Sequence, residues 1–117
     1  MYSAGVLDHF RNPRNVGQLP PPAVAIEVSN PACGDILKLS ARFESGKVAE
    51  ARYQTRGCTA SIAAGSALTE WLIGKSRAEL AALTPALVEG LVGGLEPASK
   101  HAAVLSVDGV RKLLAST

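Results

Sequence analysis

Residues 47–71 read KVAEARYQTRGCTASIAAGSALTEW, and the fold turns on a change of period inside them. Up to Gly57 the pattern repeats every two residues. Ala49, Ala51, Tyr53 and Thr55 share one face, while Glu50, Arg52, Gln54 and Arg56 share the other, as in a strand with one wet side. From Cys58 the spacing becomes helical: Ala60, Ala64, Ala67, Leu68 and Trp71 fall on one side, Trp71 reads as core, and Gly74 stops the run. The small residues of that helix would let it lie close against a sheet.

Upstream, two more strands are expected. AVAIEVS (23–29) places Val24, Ile26 and Val28 together, and DILKLSARF (35–43) puts Leu37, Leu39, Ala41 and Phe43 inside, with Lys38, Ser40 and Arg42 outside. ESGK (44–47) reads as the hairpin turn that leads into the third strand, with Gly46 at its tip. Before the strands, SAGVLDHFRNP (3–13) predicts a short helix capped by Ser3, with Val6, Leu7 and Phe10 as its apolar stripe. Asp8 is then a helix-face charge and His9 a surface or packing residue. RNVGQLPPP (14–22), with three successive prolines, predicts an extended connector without regular structure.

Downstream the pattern is helical. Ser76 with Glu79 three residues later is a capping box, Pro85 occupies a first-turn position, and a final helix from about Pro97 to Ala115 gathers Ala103, Val107, Val110 and Leu114. Strands first and helices afterwards imply an α+β domain: a three-stranded antiparallel sheet with helices packed on one face.

At 117 residues the chain is long enough for one core, so a single domain over 1–117 is expected. With 47% hydrophobic and 19% charged residues it is globular in composition, and its net charge of +2 comes from interspersed signs. That balance argues against a nucleic-acid partner, which calls for a basic stripe. No uncharged stretch is long and apolar enough for a membrane, and Asp8, His9 and Arg11 interrupt any leader-like segment, so a cytoplasmic location is expected. In that compartment the two cysteines would be free thiols.

Chemistry-bearing residues gather at element boundaries. Cys33 and Asp35 flank Gly34 at the corner between the first two strands, Cys58 stands where the third strand becomes a helix, and His101 opens the last helix. Gly34 permits the positive-φ turn that would aim Cys33 and Asp35 to one side, and the helix start favours thiolate at Cys58, with Arg56 two residues before it. Two thiolates, a carboxylate and an imidazole form a four-ligand set suited to zinc or to iron with sulfide. Other readings stand beside it: a lone cysteine is often a small buried hydrophobe, and the spacing is no standard zinc signature. A thiol enzyme with Cys58 as nucleophile and His101 as base lacks any oxyanion or substrate motif.

Taken in order, YSAGVLDHFRNPRNVG (2–17), NPACGDILKL (30–39), RGCTASIAAGSALTEWLIGKS (56–76) and KHAAVLSVDGVRKLL (100–114) resemble the iron-sulfur cluster assembly scaffold family. This is the IscU type that also forms the N-terminal domain of NifU proteins. The resemblance implies a scaffold or carrier, not an enzyme. It also implies a [2Fe–2S] cluster or iron held at an exposed end, with Zn²⁺ as an alternative occupant. By position, Cys33, Asp35, Cys58 and His101 are the implied ligands. The implied partners are a cysteine desulfurase that supplies sulfur as persulfide and apo iron-sulfur recipient proteins. The family's third cysteine falls at Ala102 here, which has no donor atom, and the chaperone-recognition segment is altered to LEPASK (95–100), which argues against handover to a chaperone pair. A zinc-binding or regulatory protein that keeps the scaffold surface without building clusters is the alternative. Mixed ligation remains chemically sound, because histidine replaces cysteine on iron in some two-iron clusters.

Overall fold

A computed structural model describes residues 2–31 and 34–117. Among them the order is α1 (Ala4–Arg11), β1 (Val24–Ser29), β2 (Ile36–Glu44), β3 (Lys47–Arg56), α2 (Thr59–Leu72), α3 (Arg77–Ala81), α4 (Pro85–Leu91), a 3₁₀ turn (Pro97–Ser99) and α5 (His101–Ala115). The strands form one antiparallel sheet in the order β1-β2-β3, with Val24 opposite Ala41 and Leu39 opposite Tyr53, and the register slips at Arg42/Phe43. The α+β architecture expected from the change of period is present.

Helices cover one face of this sheet. α2 packs on β3, α5 on β1 and β2, and α1 and α4 pack on α2 from outside. Leu37, Leu39, Ala41 and Tyr53 from the sheet meet Ala60, Ala64 and Leu68 of α2 and Val107 and Val110 of α5 in one core. Apolar burial of this kind contributes roughly 1.5–3 kcal/mol for each large side chain. Close approach replaces bulk: a Cβ at Gly65 would lie 2.5 Å from the Tyr53 ring, so the backbone of α2 rests directly on that side chain. The caps follow the sequence, since Ser3 accepts from the Val6 amide and Ser76 and Glu79 form the capping box.

Several side chains lie elsewhere than the periodicity placed them. Phe10 is 40% exposed, and the inward position next to it belongs to His9. Ser40 is buried although it alternates outward, because the connector crosses there and the Leu19 amide donates to its hydroxyl. That connector is not wholly irregular: Val16 makes a parallel bridge to Tyr53 at the edge of β3. Trp71 and Leu114 pack at the rim of the core rather than within it. Trp71 carries Lys75 over its ring. The α-helical part of the last segment begins at His101, after the 3₁₀ turn.

His9 has a definite task. Its Nδ1 is 2.8 Å from Ser66 Oγ, which also accepts from the Arg14 amide. Asn15 donates to Thr69 Oγ1, so the Arg14–Asn15 segment is fastened along α2. Burial pushes the His9 ring below its ordinary value, helped by Arg14 and opposed by Glu70 and Asp8. A depressed histidine stabilises the fold fully above about pH 6.5, and that contribution disappears as pH falls through the folded value. Stability should therefore decline between pH 7 and 5, and His9→Gln should flatten the decline in denaturant titrations; equal slopes in the two proteins would contradict the assignment. Ser66→Ala should cost about 1–3 kcal/mol, since it strands the Arg14 amide and the His9 nitrogen.

Candidate metal centre

Three boundaries of the fold meet at one end of the sheet. At the β1–β2 corner, the Asn30 amide donates to the Asp35 carbonyl at 2.9 Å and the Gly34 amide to the Asn30 carbonyl at 2.7 Å. Gly34 stands at φ +77°, the left-handed conformation that a side chain would strain. This turn delivers Asp35, only 5% exposed, to the start of α2. There Cys58 is the N-cap residue, but its side chain makes no capping bond, which leaves the sulfur to face Asp35. His101, first residue of α5, completes the group.

Three side chains converge on one oxygen, Asp35 Oδ2. Cys58 Sγ lies 3.6 Å from it, His101 Nε2 lies 3.2 Å away, and the Ser61 hydroxyl donates to it. Cys58 Sγ and His101 Nε2 are 3.5 Å apart. Burial alone would push the Asp35 carboxyl up. The bonds from Ser61 and Cys58 and the His101 ring outweigh it and hold the group below the usual carboxylate range.

These spacings suit a metal. A tetrahedral ion with bonds of about 2.3 Å to sulfur and about 2.0–2.1 Å to nitrogen or oxygen sets its ligand atoms about 3.3–3.6 Å apart. The observed separations are 3.5 Å for sulfur to nitrogen, 3.6 Å for sulfur to oxygen and 3.2 Å for nitrogen to oxygen. The three side chains already stand close to the corners of one coordination tetrahedron. A sulfur, a nitrogen and an oxygen together satisfy zinc or ferrous iron.

Of the four residues singled out from the sequence, Asp35, Cys58 and His101 come together, and Cys33 lies outside the described residues. Arg56 is exposed and lines the open face of the sheet with Lys38 and Gln54. Ala102 is 1% exposed and belongs to the core. Ser61 was not singled out from the sequence. Its signal is faint: a hydroxyl in the first turn of an otherwise alanine-rich helix, three residues after a cysteine.

Gly57 is the other residue on which the geometry depends. A Cβ there would lie 2.5 Å from Asp35 Cγ and within 2.9 Å of both carboxylate oxygens, so the carboxylate packs flat on bare backbone. Gly57→Ala should therefore cost about 1–3 kcal/mol in denaturant unfolding, and much less in an Asp35→Ala background, where the space is vacated. Equal costs in both backgrounds would show that the clash lies elsewhere.

The family model described as the NifU-like N terminal domain matches residues 1–116. Iron-sulfur cluster assembly scaffold protein IscU 1 of Archaeoglobus fulgidus is 36% identical over 114 residues, covering 97% of this chain and 74% of its own. Iron-sulfur cluster assembly scaffold protein IscU of Haemophilus influenzae is 35% identical over 118 residues, covering 97% of this chain and 93% of its own. The crystal structure of a nitrogen-fixing NifU-like protein (N-terminal) from Brucella abortus superposes with a TM-score of 0.65 at 25% identity, over 97% of this chain and 82% of that one.

Proposed function

The chain belongs to the NifU-like N terminal domain family, and from that membership we propose that it is a single-domain scaffold or carrier for iron-sulfur cluster assembly, not an enzyme. The observation that carries the metal-binding part of the reading is the convergence of Asp35, Cys58 and His101 at mutual distances that fit one tetrahedral metal. Cys33, two residues before Asp35 in the sequence, would supply the second thiolate. The cargo is iron, built into a [2Fe–2S] cluster with sulfur that a cysteine desulfurase supplies as persulfide and that an external electron donor reduces by two electrons to sulfide, and passed on to apo recipient proteins.

Hard and soft donors divide the labour. Thiolate holds iron-sulfide firmly, whereas a carboxylate oxygen exchanges more readily and provides the bond at which an acceptor's thiolate can enter. With Ala102 where a third cysteine would stand, the donor set carries one thiolate fewer and binds a cluster more loosely. Handover by a chaperone pair has little support, because the segment before His101, LEPASK (95–100), is altered from the family's recognition segment. No helix among the described residues is long and apolar enough to cross a membrane, and a cytoplasmic site of action accords with the free thiol at Cys58.

A specific observation also supports a second reading, in which a single Zn²⁺ is the occupant. The three donors crowd one point, whereas the two irons of a cluster would share four ligands between them. Anaerobic reconstitution separates the two. With ferrous iron and sulfide the protein should acquire the visible absorption of a bound cluster and lose it in Cys58→Ala. Stoichiometric zinc with no chromophore would favour the second reading. Asp35→Cys, which exchanges the weak oxygen for sulfur, should slow transfer to an apo-ferredoxin severalfold or more; unchanged or faster transfer would contradict the role given to the carboxylate.

A further inference from the structure

We propose that Ser61 is the positioning residue of this centre: its hydroxyl keeps Asp35 Oδ2 aimed at the space between Cys58 Sγ and His101 Nε2, both before a metal ion enters and while it is bound. The inference rests on the reading of Asp35, Cys58 and His101 as ligands and adds the group that acts through one of them.

The geometry distinguishes Ser61 from the other two neighbours of Oδ2. Cys58 and His101 are themselves metal donors, so an entering ion takes over the directions in which they now face Asp35. Their hold on the carboxylate is lost when the site fills. Ser61 Oγ is not needed as a ligand, and its bond to Oδ2 occupies one lone pair while leaving the other for the metal. Ser61 Oγ also lies 3.5 Å from Cys58 Sγ, so one hydroxyl touches two of the three donors. It is 4% exposed on the first turn of α2, where packing fixes its rotamer. A residue at this place in a capping box would accept from the N-cap backbone amide, whereas the hydroxyl of Ser61 meets two side chains, Asp35 Oδ2 and Cys58 Sγ. The helix start thus presents the soft ligand at Cys58 and orients the hard one through Ser61.

The test uses Zn²⁺ alone as probe, on the full chain kept reduced, with affinity measured by competition against a chromophoric chelator. Ser61→Ala, a change that a helix tolerates, should weaken Zn²⁺ binding about 10–100-fold. In an Asp35→Ala background the same change should alter affinity by less than about twofold, because the residue through which it acts is gone. Unchanged affinity in Ser61→Ala, or an equal loss in both backgrounds, would overturn the positioning role while leaving the ligands in place. A parent protein that binds no Zn²⁺, or binds it equally well in Cys58→Ala and Asp35→Ala, would overturn the ligand reading and this inference with it.

Discussion

A carboxylate that is 5% exposed needs partners, since an unpaired buried charge costs several kcal/mol. Asp35 finds them at a single oxygen, and they come from two other parts of the chain: the first turn of α2 and the first residue of α5. The corner between β1 and β2, the strand-to-helix transition at Gly57 and the entry to α5 must all be placed correctly for that oxygen to be satisfied. Stability and chemistry therefore share one set of contacts. Any element that drifts leaves the carboxylate buried and unpaired, and a metal that arrives finds its donors already gathered.

The fold was legible because its periods are clean. Alternation through Tyr53 and Thr55, broken at Gly57 and followed by a helical alanine pattern, defines β3 and α2, and the capping residues Ser3 and Ser76 and the first-turn Pro85 sit where the helices begin. Side chains whose environment depends on distant contacts were less legible. His9 and Phe10 are neighbours on one helix, and periodicity cannot decide which of them meets α2. The contact that decides is with Ser66, 57 residues away. Ser40 alternates outward as expected, but the connector lies over it, and no local pattern records that crossing.

The site divides in the same way. Asp35, Cys58 and His101 stand out as reactive residue types at boundaries, and resemblance to a family orders them. Ser61 does not, because a serine in an alanine-rich helix looks like ordinary small-residue packing, and its partner Asp35 lies 26 positions earlier. Gly57 marked only the change of period; that the Asp35 carboxylate packs against its bare backbone needed three dimensions. Residues that orient ligands are chosen by shape, and shape is written across elements rather than within them.

The central claim is that sulfur, oxygen and nitrogen from three elements bind the same metal ion. X-ray absorption at the iron edge of anaerobically iron-loaded protein measures this directly. A first shell that mixes sulfur with oxygen and nitrogen scatterers, with the sulfur contribution reduced in Cys58→Ala and the imidazole signature absent in His101→Ala, is the predicted result. A shell of oxygen alone, unchanged in both variants, would mean that iron binds elsewhere on the surface and that the convergence at Asp35 serves only to hold the fold.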